Sequence, residues 1–135
     1  MTLRQHVLVP VSIGLISVFV LSACATVGEQ LASVANPPSL TGTWKGEWGG
    51  TMQHPIELVV EKQDGPVVSG AMTFIAHRTS THRMTGRIGA KQDGSVWVLM
   101  DVEGRDFPLK VISEKRLEGT GTSHTHRGPV VLTRQ

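Results

Sequence analysis

The chain has 135 residues, which is enough for one domain and too few for two of ordinary size. Its 13 basic and 11 acidic residues nearly balance, and aromatic residues make up 4% of the composition. A chain with so little net charge and so few aromatic side chains lacks the electrostatic and stacking surfaces that nucleic acids require, so no nucleic-acid partner is expected.

An apolar segment opens the chain. Arg4 is the only charged residue within residues 1–23, and residues 7–21 are almost wholly apolar. The segment ends in a large apolar residue, two small residues and the single cysteine of the chain, in the order Leu21-Ser22-Ala23-Cys24. This run resembles the lipobox of bacterial lipoproteins, in which the cysteine thiol receives a diacylglycerol and the signal peptide is cleaved before it. The resemblance implies a signal helix over residues 1–23, cleavage between Ala23 and Cys24, and lipidation of Cys24.

Other interpretations of this segment fit less well. A transmembrane helix needs about 20 apolar residues, whereas this run is shorter and contains Pro10 and Gly14. An ordinary signal peptide needs no cysteine at this place, and a buried amphipathic helix would show regularly spaced polar residues. We therefore expect the protein to be held at a membrane by its N-terminal lipid. Ala25, where an aspartate often retains lipoproteins in the inner membrane, favours the outer membrane, facing the periplasm, if the host is Gram-negative.

Residues 24–40 are expected to form the lipidated cysteine and a flexible tether. This segment is rich in small residues and ends in Asn36-Pro37-Pro38-Ser39. Consecutive prolines favour an extended backbone, so they stiffen the exit from the tether. The folded domain is therefore expected to span residues 41–135.

Residues 41–135 consist of short runs of alternating apolar and polar residues separated by turn residues, which is typical of antiparallel strands. The predicted strands cover residues 43–48, 55–62, 67–76, 82–88, 96–102, 106–112, 116–122 and 128–134. Asp64-Gly65, Asp93-Gly94 and Gly104 mark three of the turns. This regular spacing predicts an all-β fold, an antiparallel up-and-down meander closed into a small barrel of about eight strands, because closure removes exposed strand edges.

The first and last predicted strands carry a further resemblance. Gly42-Thr43-Trp44 resembles the Gly-x-Trp motif that opens the barrel of the calycin superfamily, which includes the lipocalins. In that superfamily the tryptophan plugs one end of the barrel, and a basic residue of the last strand packs over it. The resemblance implies that Trp44 is the barrel plug and that Arg134 lies over its indole, a cation–π contact worth about 0.5–2 kcal/mol.

The inward positions of the predicted barrel are the candidate ligand-binding residues. They hold several soft or apolar side chains: Met72, Phe74, Met84, Val98 and Met100. Because methionine adapts to varied shapes, we expect these residues to bind a small apolar or amphiphilic molecule. The alternative is that they simply fill the core of an envelope module without a ligand cavity. Such a module would have a structural role or contact another envelope protein through the loops around residues 77–83 and 103–106.

The histidines are the candidate metal ligands. His124-Thr125-His126 places two imidazoles on one predicted strand face, and His77 and His82 flank a polar loop. Imidazoles suit zinc or copper, but a site needs three or four converging ligands, and the only cysteine is already assigned to the lipid. We therefore predict no metal site and no cofactor.

The basic, hydroxyl-rich stretch at residues 77–83 could attract an anionic headgroup, although a solvated loop is the simpler interpretation.

Candidate catalytic residues are few. Ser80 stands near His82, and Asp101 stands near Glu103, but neither pair has a flanking catalytic motif. The sequence therefore predicts a protein that is not an enzyme.

Overall fold

The computed structural model describes residues 30–50 and 52–135 of the chain. The predicted signal peptide, Cys24 and residues 25–29 lie outside the described residues. The described part is all-β, and its eight strands are β1 (Gly42–Trp48), β2 (His54–Asp64), β3 (Val67–Phe74), β4 (Ser80–Ala90), β5 (Val96–Val102), β6 (Arg105–Ser113), β7 (Arg116–Thr122) and β8 (Arg127–Arg134). Within residues 30–50 and 52–135, no helix has the length and apolarity needed to cross a membrane.

The strands form one closed barrel in chain order. Each strand pairs antiparallel with the next, and β8 pairs antiparallel with β1 to complete the ring. Register shifts between Val60 and Lys62 in β2, and between Val111 and Ser113 in β6, add the local twist that a small barrel needs. The predicted fold class, an eight-stranded antiparallel meander closed into a barrel, is therefore confirmed.

Several strand ends differ from the predicted bounds by one or two residues, and two of them flank the connection between β3 and β4. β3 ends at Phe74, two residues before the predicted end, and β4 begins at Ser80, two residues earlier than predicted. Both ends are fixed by the pairing of Phe74 with Ser80, next to a hydrogen bond between the hydroxyls of Thr73 and Thr81 at 2.9 Å. Strand ends depend on where the partner strand runs, and that is not a local property of the sequence.

The core lies inside the barrel and is filled by side chains. Alternate residues of each strand point inward, as the two-residue period of a strand requires. Trp44, Leu58, Met72 and Phe107 are fully buried, with 0% of their surface exposed. The buried side chains of the described residues are all hydrophobic. An eight-stranded barrel has an interior just wide enough for side chains to fill, and the core of this protein does so.

Trp44 is fully buried near one end of the barrel. Its indole N–H donates a hydrogen bond to the carbonyl of Leu40 at 2.9 Å. The guanidinium of Arg134 covers the indole ring and donates to the carbonyl of Ser39 at 2.6 Å. Leu40 itself is buried in the core with 1% exposure. We call this the closed end.

The segment before β1 lies along the barrel. Ala32 and Ala90 exchange two backbone hydrogen bonds at 2.8 and 2.9 Å. The side-chain amide of Gln63 accepts from the N–H of Leu40 at 2.8 Å and donates to the carbonyl of Pro38 at 2.9 Å. The second half of the predicted tether is therefore in contact with the barrel, while the division into tether and domain stays a prediction.

Candidate functional site

The other end of the barrel, opposite Trp44, holds a cavity of about 460 Å³. We call this the mouth cavity. The ends of β1, β3, β5 and β7 meet the following strands around it, so side chains from four connections face one space. The residues that matter chemically are Trp48 and Phe74 on its floor and His54, Ser80, Glu103, Arg105 and His126 around it.

The floor of the mouth cavity is aromatic. Trp48 and Phe74 are 5% and 8% exposed, and their ring centroids lie 5.6 Å apart. Phe107 packs edge-on beneath Trp48, with a centroid distance of 5.1 Å. The indole N–H of Trp48 donates to the carbonyl of Gly121 at 3.1 Å, which fixes the ring. An apolar, rigid floor of this kind suits the apolar part of a small ligand.

Two histidines form one wall. The ring of His126 meets Trp48 edge-on at 4.6 Å between centroids, and His54 meets His126 at 5.4 Å. His126 Nε2 lies 2.7 Å from the carbonyl oxygen of Gly49. Because a carbonyl can only accept, Nε2 carries the hydrogen in this contact. The wall is therefore held by a hydrogen bond that crosses from one connection to another.

The prediction that the imidazoles of His124 and His126 lie on one strand face is wrong. These residues lie in the connection between β7 and β8, where His124 is exposed and His126 turns onto Trp48. Ser123 holds the connection, since its N–H donates to the carbonyl of His126 at 2.8 Å and its hydroxyl accepts from the His126 N–H at 3.1 Å. The two imidazoles therefore face different surroundings.

A hydrogen-bonded chain of three side chains stands beside the cavity. Ser80 and His82 are two residues apart on β4, which places both on one face of the strand. The hydroxyl of Ser80 lies 3.1 Å from His82 Nε2, and Glu103 Oε2 lies 2.7 Å from His82 Nδ1. A carboxylate only accepts, so Nδ1 donates, and Nε2 of the neutral ring can accept from the serine. We call this the Ser80–His82–Glu103 relay.

The connection between β5 and β6 positions Glu103. Pairing of Met84 with Val102 brings this turn beside β4. Glu103 and Gly104 both have positive φ angles, 49° and 86°, as a tight two-residue hairpin turn requires. The Glu103 carboxylate also accepts from the backbone N–H of Arg83 at 3.2 Å. The hydrogen bond from His82 and then that from Arg83 hold the pKa of Glu103 below its usual 4.5.

Arg105 supplies positive charge at the cavity. Its guanidinium carbon lies 5.3 Å from the ring centroid of Phe74, and Nη1 donates to the carbonyl of Val102 at 3.3 Å. The ring of Phe74 is also 5.5 Å from the ring of His82. Phe74 is therefore an apolar surface that contacts both the cation and the relay.

The predicted ligand-binding residues are divided between core and cavity. Met72, Met84, Val98 and Met100 are packed in the barrel core with 3% exposure or less, and only Phe74 of this set lines the mouth cavity. A strand pattern identifies the positions that point into the barrel. It does not show which of them are packed in the core and which line a cavity at the end of the barrel. The other predicted site, Trp44 with Arg134, lies at the closed end.

The sequence-based prediction did not identify Trp48 as a site residue, it placed Glu103 with Asp101 and not with His82, and it considered Arg105 only as part of a loop that could contact another protein. The alternation of β1 places Trp48 inward, and the spacing of Ser80 and His82 places them on one face. Glu103 becomes their neighbour only through the pairing of β4 with β5, which the local sequence does not show. Within the described residues, no three histidine, cysteine, aspartate or glutamate side chains are grouped so that they could hold a metal ion.

A comparison with protein families finds no match for this chain, and a search of curated proteins finds none either. The proposal for its function therefore depends on the geometry of the mouth cavity and on the N-terminal sequence.

Proposed function

We propose that this protein is a membrane-anchored lipoprotein that binds a small amphiphilic molecule in the mouth cavity of its barrel. The observation that carries the proposal is a cavity with an aromatic floor, Trp48 and Phe74, beside the guanidinium of Arg105. Its volume, about 460 Å³, falls within the range of about 300–1,000 Å³ that is typical of small-molecule sites.

The filled core determines where the ligand binds. Because Met72, Met84, Val98 and Met100 occupy the interior, the ligand lies in the mouth and not along the barrel axis. Its apolar part rests on the aromatic floor, and its anionic group pairs with Arg105. The ligand class is therefore an amphiphile with a compact apolar or aromatic body and one negative charge.

The anchor is proposed from the lipobox. A diacylated or triacylated cysteine contributes about 0.8 kcal/mol for each buried methylene group, which makes attachment stable. The near balance of 13 basic and 11 acidic residues means that the lipid, and not charge, holds the protein at its membrane. In a Gram-negative host this would be the outer membrane, with the barrel in the periplasm.

A fluorescence titration with 1-anilinonaphthalene-8-sulfonate, which carries an aromatic body and one sulfonate, tests the binding proposal. We expect saturable binding by the full chain in detergent micelles, corrected for binding to micelles alone. Arg105→Gln should weaken binding at least tenfold, because a hydrogen bond to a charged group contributes about 1.5–3 kcal/mol. The control Arg134→Gln removes a cation at the closed end and should leave the affinity unchanged. Equal weakening by both variants, or no saturable binding by the wild type, would overturn the proposal.

Contact with another envelope protein is the second candidate. Met52 and Ile75 are 63% and 42% exposed, and both line a smaller cavity of about 310 Å³ that also includes His54 at the rim of the mouth. Exposed apolar side chains grouped in this way are typical of interaction surfaces. Crosslinking in intact cells that yields one discrete partner, lost on Met52→Ser with Ile75→Ser, would favour this candidate. Crosslinking that is unchanged by the double variant would exclude this surface.

A further inference from the structure

We propose that the relay makes Ser80 a nucleophile for acyl transfer, so that the mouth cavity hydrolyses carboxylic esters. This activity goes beyond ligand binding, and it rests on the proposed function only for the aromatic floor on which the apolar part of the substrate binds. The inference starts from the two distances that join the three side chains, 3.1 Å from Ser80 to His82 and 2.7 Å from His82 to Glu103.

Those distances suit a nucleophile, a general base and an orienting carboxylate. A base must lie within about 2.6–3.2 Å of the proton that it removes, and the Ser80–His82 contact meets this condition. Glu103 fixes the ring tautomer, since the hydrogen on Nδ1 leaves the lone pair of Nε2 directed at the serine. Nδ1 of His82 therefore donates to the carboxylate of Glu103, and Nε2 accepts the proton of Ser80.

The carboxylate of the relay is itself held in place. Its second oxygen accepts from the Arg83 N–H, and its residue occupies a positive-φ position that glycine or asparagine would adopt more easily. Non-glycine residues in such conformations cost free energy and are often found at functional sites. The turn thus holds the Glu103 carboxylate against the imidazole of His82. A freely rotating glutamate on the surface would not orient that ring.

The serine faces the mouth cavity. Ser80 is exposed and pairs across the sheet with Phe74, whose ring is on the cavity floor. Arg105 lies over the Phe74 ring and lines the same cavity. An ester whose apolar part rests on Trp48 and Phe74 would bring its carbonyl carbon towards Ser80. The guanidinium of Arg105 then offsets the negative charge that develops on the carbonyl oxygen.

The reaction proceeds in two steps. Ser80 Oγ attacks the carbonyl carbon and forms a bond to it, while its proton passes to His82 Nε2. The bond to the alcohol oxygen then breaks, the alcohol takes this proton, and the acyl group stays on Ser80. Water attacks the acyl-serine in the same way, giving up a proton to Nε2, and the carboxylic acid leaves as Ser80 regains its proton. Glu103 stays ionised throughout and stabilises the imidazolium.

Two probes test the relay on the full chain in detergent micelles: hydrolysis of 4-nitrophenyl butyrate, and labelling by an alkyl fluorophosphonate, which loses fluoride to an activated serine. We expect the label on Ser80 in peptide mapping. Ser80→Ala should abolish both signals, and His82→Gln should reduce hydrolysis at least 100-fold, the lower range of general-base effects. Glu103→Gln should reduce it at least tenfold. Ser113→Ala, at the end of β6 on the closed side, is the control and should hydrolyse as the wild type does.

The outcome separates this inference from the proposed function. Circular dichroism and thermal unfolding of Ser80→Ala show whether this variant is folded, independently of binding in the cavity that Ser80 lines. Saturable binding without labelling of wild-type Ser80 would overturn the inference and leave the binding proposal standing. Labelling of Ser80 in a protein that binds no amphiphile would support the relay and overturn the binding proposal. Hydrolysis by Ser80→Ala at the wild-type rate would also overturn the inference.

Discussion

The guanidinium carbon of Arg134 lies 4.6 Å from the centroid of the indole ring of Trp44. The two residues are paired across β1 and β8, so this contact stands at the seam that closes the barrel. The same guanidinium donates to the carbonyls of Ser39 and Thr41 at 2.6 and 3.3 Å, which ties the incoming chain to the closed end. One side chain therefore joins Trp44, the seam and the segment before β1.

Arg134→Met tests the strength of this contact. Methionine keeps much of the packing over the indole but loses the cation and both hydrogen bonds, so we expect a loss of about 1 kcal/mol in the free energy of unfolding. The loss is moderated because Arg134 Nε is buried without a hydrogen-bond partner, a cost that the substitution removes. Urea denaturation measures the change.

Arg116→Met is the matched control for Arg134→Met. Arg116 is exposed and pairs with Glu118 at 2.6 Å on the surface, where such pairs contribute little. We expect a change within about 0.5 kcal/mol for this variant. An equal loss in both variants would show that the position of Arg134 over Trp44 has no special effect on stability.

Gly46→Ala tests the geometry of the barrel seam. Gly46 lies on β1 between Trp44 and Trp48, and a Cβ at this position would overlap the carbonyl oxygen of Val131 on β8. Since both groups belong to paired backbones, neither can move without breaking the ladder, and we expect a loss of about 3 kcal/mol or failure to fold. Thermal unfolding followed by circular dichroism measures it.

Gly94→Asn controls for the loss of a glycine as such. Gly94 has a φ of 83° in the β4–β5 turn, and a Cβ there would meet no atom within 4 Å. Asparagine tolerates this conformation better than other residues with a side chain, so the unfolding temperature should change little. A Gly46→Ala protein as stable as Gly94→Asn would contradict the close approach of β1 and β8.

The pattern of the sequence predicted the barrel because strand alternation is a local signal. Trp44 and Trp48, four residues apart, both face inward, and the Asp-Gly pairs at residues 64–65 and 93–94 do lie at hairpin turns. The extent of the folded part was harder to predict. Leu40 ends a Pro-rich stretch, yet it is buried by contacts with Trp44 and Gln63, which belong to strands that follow it.

The mouth cavity could be predicted only in part, because its residues meet through strand pairing and loop conformation. Ser80 and His82 are two residues apart, so their proximity is evident from sequence, but the predicted strand began at His82 and their shared strand face is shown by the structure. Glu103 reaches them only because β4 and β5 pair in one register and the turn between β5 and β6 adopts positive φ angles. His126 turns onto Trp48 because Ser123 folds the connection back, which no strand periodicity would show.

His82→Leu should raise the pKa of Glu103. The hydrogen bond from His82 is the largest cause of the lowered value, and the Arg83 N–H is the next, so the pKa should move back towards 4.5 without reaching it. Carbon-13 NMR titration of the Glu103 carboxyl group measures the shift. Asp93 is an internal control: Ser95 lowers its pKa at the other end of the barrel, and the His82 variant should leave it unchanged.

The same hydrogen bonds make stability depend on pH. Because the folded-state pKa of Glu103 is lower than the unfolded one, its contribution is fully present above about pH 4.5 and is lost as the pH falls through the lowered folded-state value. The difference in stability between wild type and His82→Leu should therefore shrink in that acidic window. A difference that grows on acidification would show that the carboxylate is not stabilised by the imidazole.

Cys24→Ser tests the proposed anchor. Serine lacks the thiol that takes the lipid, so the variant should leave the membrane fraction or remain unprocessed, and it should lose labelling by radioactive palmitate. Cys24 is the only cysteine of the chain, so the substitution breaks no disulfide and should not alter the barrel. Ala25→Ser is the control, because it changes the neighbouring residue and leaves Leu21-Ser22-Ala23-Cys24 intact. Palmitate labelling that survives Cys24→Ser would refute the assignment, whereas labelling retained in Ala25→Ser and lost in Cys24→Ser identifies the thiol as the attachment point.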